Sequence, residues 1–234
     1  EQEFDRMDQH FYLSMPMLVG GNITGALVFI RFGGPAFTEE QINLEINGQP
    51  YQARKGQMLI EATDAADAYV PRFCYHEKLS IAANCRMCLV ETNKSPKLLP
   101  ACHATVMDGM EVWTDNDRVR EAHRAVLEFI LINHPVDCPI CDQAGECGLQ
   151  DQYMSHGLYD AKVEIEDKVN KRKVEVIGPQ VILDQERCVL CSRCVRFCDE
   201  VTKTGELASF QGGERNMIGI YPAKRLNNPY SGNV

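Results

Sequence analysis

The eleven cysteines of this 234-residue chain fall into groups whose spacing suits metal thiolate chemistry. An odd number of cysteines in CxxC-type runs does not favour a disulfide framework. Acidic residues outnumber basic ones by 33 to 24, and the net charge of -9 excludes a phosphate-tracking nucleic-acid surface as the main function. With 44% apolar and 24% charged residues, the chain is predicted to be a globular protein that binds metals.

The first group combines a long loop with a distant cysteine. Its members are separated by ten, two and thirteen residues: Cys74, Cys85, Cys88 and Cys102. This pattern is typical of 2Fe-2S ferredoxins, in which backbone N–H groups of a wrapping loop point at the sulfur atoms. The plant-type spacing has four residues between the first two ligands, so this group is a variant. A redox-active dithiol at Cys85 and Cys88 and a four-thiolate zinc site are the alternatives.

The second group places one histidine beside three cysteines: His134, Cys138, Cys141 and Cys147. Pro139 and Gly145 favour the tight turns that fold a short loop around a compact ion or cluster. The set could hold a 4Fe-4S cluster or a tetrahedral zinc ion. In a cluster, the neutral imidazole would remove one negative charge and shift the reduction potential. His76 and His103 are interpreted as neighbours of cysteines, not as ligands.

The third group consists of two CxxC steps that share their middle cysteine: Cys188, Cys191 and Cys194. This run binds three corners of a 4Fe-4S cube, and zinc sites seldom use it. Cys198 follows, but Asp199 stands where two-cluster ferredoxins have a proline, and the sequence contains no second run. The role of Cys198 is therefore uncertain, and the third cluster lacks an obvious fourth ligand within the sequence.

The sequence shows no motif for a substrate site. No GxGxxG follows a predicted strand, no GxxxxGK[ST] occurs, and no Ser/His/Asp or paired-carboxylate constellation stands out. We therefore predict that the chain carries electrons and has no catalytic residues of its own.

The elements expected to position the first group form a small mixed sheet with one helix on it. Strands are predicted at 42–46, 51–54, 87–91 and 110–114, and a helix at 58–68. Asn47-Gly48 suits a two-residue hairpin turn between the first two strands. Pro71 ends the helix before the loop that carries Cys74.

A second helix is expected to bring His134 to the second group. Asp115 or Asn116 can cap it, Pro135 stops it, and its apolar positions follow helical spacing: Val119, Ala122, Val126, Phe129 and Ile130. Residues 138–156 are predicted to be loop-rich with little apolar content, so something other than a hydrophobic core must hold them. The charged stretch 162–173 is interpreted as a solvated strand or linker.

The N-terminal part contains twenty residues without a charge, from Phe11 to Ile30. A membrane span or signal peptide is one interpretation. The internal prolines and glycines and the lack of a basic flank favour an extension or a buried hairpin around Gly20-Gly21-Asn22. Because the first residue is Glu1, we also expect a processed chain or a fragment.

Four stretches resemble the N-terminal part of the large peripheral iron-sulfur subunit of respiratory NADH:quinone oxidoreductase (complex I). They are Ala83–Glu91, Leu99–Cys102, Glu128–Pro135 and Asp137–Cys147, and the resemblance extends from about residue 40 to Val234. It implies an α+β fold, with a beta-grasp 2Fe-2S ferredoxin-like domain followed by small loop-rich 4Fe-4S domains. The expected domains are an unassigned extension at 1–39, a 2Fe-2S domain at 40–115 and 4Fe-4S domains at 116–157 and 158–234.

The resemblance implies one 2Fe-2S cluster on the first group and 4Fe-4S clusters on the second and third. The family places the last ligand in a Cys-Pro-Val-Gly motif shortly after Ser-Gly-Asn-Val, and this sequence stops at Ser231-Gly232-Asn233-Val234. We therefore expect a fourth ligand beyond Val234. Arg86, Arg193 and Arg196, next to ligands, could offset cluster charge, and surface solubility is the alternative.

The implied function is electron transfer from a flavin/NADH-binding subunit toward quinone, together with other peripheral-arm iron-sulfur subunits. The resemblance places the complex on the cytoplasmic side of the bacterial inner membrane, with membrane contact only through other subunits. A diaphorase or relay module of an NAD-reducing hydrogenase or formate dehydrogenase is the alternative within the same chemistry. A zinc-stabilised interaction module is the alternative of another class.

Overall fold

The computed structural model describes residues 10–19, 22–32, 40–160 and 162–231, and the chain divides into two compact units, residues 1–41 and 42–234. In the first unit, β1 (His10–Val19) pairs antiparallel with β2 (Asn22–Phe32). The two strands agree with the predicted hairpin, although Gly20 and Gly21 lie outside the described residues. Within the described part of the chain, no helix is long and apolar enough to cross a membrane.

The second unit opens with a five-stranded mixed sheet and one helix. Its elements are β3 (Gln41–Ile46), β4 (Gln49–Arg54), α1 (Leu59–Ala65), β5 (Leu89–Thr92), β6 (Ser95–Pro100) and β7 (Met110–Trp113). The strand order is β4-β3-β7-β5-β6, with β3 parallel to β7 and β5 antiparallel to both β6 and β7. Apolar residues of the sheet and α1 form one buried core, which includes Leu44, Leu59, Ile60, Val90 and Val112. The predicted beta-grasp architecture is confirmed.

The local differences from the predicted elements follow from the cysteine loop and from proline. Asn47 and Gly48 have φ values of 50° and 76°, as the hairpin turn between β3 and β4 requires. The strand predicted from Met87 begins only at Leu89, because the preceding residues belong to the loop. Strand β6 was not predicted, since it contains prolines at 96 and 100, and it lies at the edge of the sheet, where proline is tolerated.

Helix α2 (Asp117–Leu131) begins at the predicted cap, where the Asn116 side chain accepts a hydrogen bond of 2.9 Å from the Val119 backbone N–H. It ends three residues before His134, so the prediction that the helix itself carries His134 is wrong. Its buried face agrees in part with the predicted one: Val119 is buried and Val126 and Ile130 are partly buried, whereas Phe129 is 76% exposed. His123 and Leu127, which were not predicted, are also buried.

Residues 138–156 are more regular than predicted. A 3-10 helix covers Cys138–Ile140, with Pro139 in its first turn, and α3 covers Gly148–His156. Gly145 has φ 89°, so the predicted turn at this glycine is confirmed. The 3-10 helix has no buried residues, and α3 buries only Leu149 and Gln152, in agreement with the low apolar content.

The last part of the unit is built from short elements around a second small core. They are β8 (Glu175–Val176), β9 (Ile182–Leu183), α4 (Arg193–Glu200), β10 (Leu207–Phe210) and β11 (Met217–Ile220). Strands pair antiparallel as β8-β9 and β10-β11. The stretch 162–173 is not simply solvated, because Lys168 Nζ donates to the Leu131 and Ile132 carbonyls at 2.9 and 3.1 Å and so stabilises the end of α2.

Candidate iron-sulfur sites

The first site, Cys74, Cys85, Cys88 and Cys102, lies at one end of the buried sheet core. Cys74, Cys88 and Cys102 are buried and Cys85 is partly buried. The Leu59 and Ile60 backbone N–H groups at the start of α1 donate to the Ala104 and Ala101 carbonyls at 2.7 and 2.9 Å. The Ala101 N–H in turn donates to the Cys88 carbonyl at 2.8 Å, which places Cys102 beside Cys88.

The four thiols of the first site interact with one another. Contacts with the Cys102 and Cys85 thiols lower the pKa of Cys74 to about 2, and contact with the Cys102 thiol lowers the pKa of Cys88 to about 7. The pKa values of Cys85 and Cys102 are raised, in both cases mainly by the Cys74 side chain. The structure therefore brings together all four residues that were predicted from spacing.

Backbone N–H groups also point at these sulfur atoms. The Cys74 N–H donates to Cys85 Sγ at 3.5 Å, and Met87 and Phe73 N–H groups also lie near this sulfur. Ala83 and Arg86 have φ values of 49° and 60°, which turn the loop back on itself. Because hydrogen bonds to sulfur are the means by which a protein tunes an iron-sulfur cluster, this donor set fits a 2Fe-2S cluster.

The second site, His134, Cys138, Cys141 and Cys147, borders a cavity of about 420 Å³. All four predicted residues line it, together with Leu127, Leu131 and Leu149 from α2 and α3. Burial, followed by the charge of Lys168, lowers the pKa of His134, which favours the neutral imidazole that a metal ligand requires. The shape and the donors of this cavity fit a compact cluster.

Ion pairs that the sequence did not predict lie beside the second site. Asp137, directly before Cys138, pairs with Lys173 and, at 3.4 Å, with Arg187. Lys173 also pairs with Glu186 at 2.6 Å, and Arg187 with Asp184 at 3.2 Å. One sequence feature could have indicated the pair between Asp137 and Arg187: each residue directly precedes the first cysteine of its group.

In the third site, Cys188 and Cys191 lie on a loop that leads into α4, and Cys194 lies in the first turn of α4. The Leu190 N–H donates to Cys188 Sγ at 3.4 Å, and Leu190 and Ser192 have φ values of 55° and 58°. Burial, and then the charges of Cys188 and Cys191, raise the pKa of Cys194 to about 11. The positive φ values at Leu190 and Ser192 bend the chain between the three cysteines, as a cluster-binding run requires.

Cys198 occupies a different environment one turn further along α4. It is 2% exposed and packs in a core cluster with Ile177, Leu207, Ile218 and Leu226. Burial is also the first cause that raises its pKa. A further ligand was predicted to follow the segment that ends at Val234. Residues 232–234 of this segment lie outside the described residues.

Arginine side chains tie the third site to the loop of the first. Arg196 is buried, and its guanidinium donates to the carbonyls of Cys74 and Ser80 and, at 3.4 Å, to that of Cys191. Arg193 donates to the Tyr75 carbonyl at 2.7 Å. Both arginines therefore connect α4 to the loop of the first site through backbone carbonyls, and their role is not limited to solubility. Arg86, in contrast, is exposed.

The three sites lie close to one another, because one cysteine of each, Cys85, Cys147 and Cys191, packs against a single buried cluster that includes Met87 and Leu127. Arg196 joins the first site to the third, and the Asp137–Arg187 pair joins the third to the second. The third site therefore contacts both of the others. Among the described residues, no three His, Cys, Asp or Glu side chains gather closely enough to hold a single metal ion.

Comparison with known proteins matches three successive parts of the chain. Residues 39–117 match the family described as 2Fe-2S iron-sulfur cluster binding domain. Residues 123–162 match the NADH-ubiquinone oxidoreductase-G iron-sulfur binding region, and residues 178–234 match the NADH-quinone oxidoreductase subunit 3, ferredoxin-like domain.

Curated relatives agree with these matches. The chain is 44% identical over 198 residues to the NADH-ubiquinone oxidoreductase 75 kDa subunit of Reclinomonas americana, covering 82% of this chain and 28% of that one. It is 40% identical over 198 residues to an NADH-quinone oxidoreductase subunit of Rickettsia felis, with the same coverage of 82% and 28%. The chain belongs to the family of these iron-sulfur subunits. It spans about 28% of the length of these two relatives.

Membership of this family confirms the predicted cofactors, a 2Fe-2S cluster and 4Fe-4S clusters. A crystal structure of an NAD+-reducing [NiFe]-hydrogenase in the H2-reduced state is also similar, with a TM-score of 0.70 and 25% identity. The similarity covers 78% of this chain and 76% of that one. The same fold thus occurs in the hydrogenase that the sequence analysis named as the alternative.

Proposed function

We propose that this chain is an electron relay of a respiratory NADH:quinone oxidoreductase. Electrons would pass from a flavin/NADH-binding subunit through the clusters of this chain toward quinone, by way of other peripheral iron-sulfur subunits. The observation that carries the proposal is the proximity of the three sites: Cys85, Cys147 and Cys191 pack against one buried cluster, and Arg196 and Arg187 link the third site to the other two. Such an arrangement keeps successive clusters near one another, as one-electron transfer requires.

The ligand assignment forms part of this proposal. Cys74, Cys85, Cys88 and Cys102 would hold the 2Fe-2S cluster, and His134, Cys138, Cys141 and Cys147 a 4Fe-4S cluster. Cys188, Cys191 and Cys194 would hold three corners of a second 4Fe-4S cluster. When bound, these clusters supply one-electron chemistry. The chain contributes sulfur ligands, one imidazole and backbone N–H donors.

The complex would lie at the cytoplasmic side of a bacterial inner membrane, with this chain attached through other subunits and without contact to nucleic acid. The translocase activity would belong to the assembled complex. The relay of an NAD-reducing hydrogenase is the second candidate, favoured by the structural similarity alone. The higher identity to the respiratory subunits, 40% and 44%, supports the first candidate.

Anaerobic reconstitution of the full chain tests the proposal. We expect a brown protein with about ten irons if all three clusters form, or about six if the third does not, with EPR signals on reduction. Serine substitution of Cys85 should remove only the 2Fe-2S signal, and serine substitution of Cys141 only that of the second site. A colourless protein that binds zinc without acid-labile sulfide would refute the proposal and favour the zinc-stabilised module.

Cys198→Ser tests the remaining cysteine. Because Cys198 is packed among apolar residues, we expect unchanged iron and sulfide per chain together with a small loss of stability. A loss of about four irons would show instead that Cys198 is the missing ligand.

A further inference from the structure

Arg187 lies where the second and third sites meet. It directly precedes Cys188, the first cysteine of the third site, and its side chain lines the cavity of the second site together with Cys138 and Cys141. The side chain is only 25% exposed. Because little water surrounds the guanidinium, its positive charge is only weakly screened from a charge in the cavity.

Two ion pairs hold the Arg187 guanidinium in place. Its Nη2 lies 3.4 Å from Asp137 Oδ2, and its Nε lies 3.2 Å from Asp184 Oδ2. Asp137 directly precedes Cys138, so one ion pair connects the residues that open the two sites.

A 4Fe-4S cluster gains one electron on reduction, and no covalent bond is formed or broken. The charge of the cluster becomes more negative by one unit, so a fixed cation nearby stabilises the reduced form more than the oxidised form. We propose that Arg187 is a positioning residue of this kind, which holds a positive charge at the wall of the second site and raises the reduction potential of its cluster. This inference rests on the ligand assignment proposed above.

Lys173 offers a matched control. It carries the same charge and pairs with the same Asp137 carboxylate, but it lies outside the lining of the cavity and is 47% exposed. Arg187→Gln and Lys173→Gln therefore each remove one positive charge from one ion-pair network. Only the first removes a charge that faces the cluster.

The experiment is an anaerobic dithionite titration of the reconstituted full chain, followed by EPR. The signal that disappears in Cys141→Ser identifies the second cluster, and the 2Fe-2S signal serves as an internal reference. We expect Arg187→Gln to lower the potential of the second cluster, Arg187→Lys to keep most of the wild-type value, and Lys173→Gln to change it far less. The 2Fe-2S potential should stay constant in all three variants.

An unchanged potential in Arg187→Gln, or an equal shift in Lys173→Gln, would overturn the inference. If Arg187→Gln does not load the second cluster while Arg187→Lys does, the positive charge is needed for the anionic cluster, which supports the inference. Failure of both variants to load would show a purely structural role and overturn it. If the wild-type chain itself gives no 4Fe-4S signal, the proposed function fails before this inference is tested.

Discussion

The first and second sites use the same kind of ligand in opposite surroundings. Three of the four cysteines of the first site are buried, and α1 and the sheet fix them through an apolar core. In the second site Cys138 is exposed, Cys141 and Cys147 are partly buried, and the 3-10 helix that carries Cys138 buries none of its residues. The sheet core fixes the thiols of the first site, whereas ion pairs and little apolar burial surround the second site.

Removal of iron should therefore separate the two regions, and this is the largest effect that we expect. After chelation, backbone amides of 138–156 should lose most of their protection against hydrogen exchange, because little apolar burial remains to hold them. Amides of β3, β5 and β7 should stay protected. Hydrogen exchange with mass spectrometry on the chain with and without clusters measures both regions together. Equal loss of protection in both would break the comparison.

Truncation of a buried side chain should show the reverse pattern. Leu59 is completely buried, so Leu59→Ala is expected to lower the free energy of unfolding by about 2 to 5 kcal/mol. Ile140 on the second-site loop is 73% exposed, so Ile140→Ala should change the free energy of unfolding by less than about 0.5 kcal/mol. Urea unfolding gives both values. A cost for Ile140→Ala similar to that for Leu59→Ala would contradict the assigned difference in burial.

The contact between the first and third sites can be weakened through Arg196. Arg196→Gln removes a charged donor from the Cys74 and Cys191 carbonyls, and hydrogen bonds to charged groups contribute about 1.5 to 3 kcal/mol. Arg215→Gln is the control, because the Arg215 side chain is 73% exposed. Urea unfolding should show a loss of stability only for Arg196→Gln. Hydrogen exchange should show reduced amide protection in the loops of both the first and the third site. A loss confined to α4 would show that Arg196 does not join the two sites.

The smallest expected effect concerns the start of α2, which connects the two regions. Asn116→Ala removes the acceptor for the Val119 N–H and should cost about 1 kcal/mol. Asn116→Ser keeps a capping oxygen and should recover most of this loss. Thermal unfolding with iron analysis checks whether the second cluster is retained, as we expect. Equal stability of the alanine and serine variants would exclude a capping role.

The sequence was most informative where chemistry or backbone geometry restricts the choice of residue. The cysteine spacing identified every member of the first site, and Asn47-Gly48 identified the turn between β3 and β4. The end of α2 was less predictable. The helix ends at Leu131, but a hydrogen-bonded turn continues the chain to His134, so the sequence pattern alone suggested a helix that extends to Pro135. The structure nevertheless places His134 in the cavity with the three cysteines of its group.

Contacts between distant segments could not be predicted from local patterns. Nothing in the sequence shows that Arg196 reaches the Cys74 carbonyl, 122 positions away, or that Arg187 pairs with Asp137 at a separation of 50. Helix α3 was missed because its buried side consists of one leucine and one glutamine, which gives little periodicity. Such elements are fixed by their tertiary neighbours and not by propensity.

The arginine contacts of the third site have a consequence for biosynthesis. A ribosome produces the first and second cysteine groups well before Cys188–Cys194. The first two groups already share a buried cluster of Phe73, Met87, Leu127 and Leu149, onto which the last segment docks through Arg196 and Arg187. The third site is therefore the last of the three to gain its surroundings during synthesis.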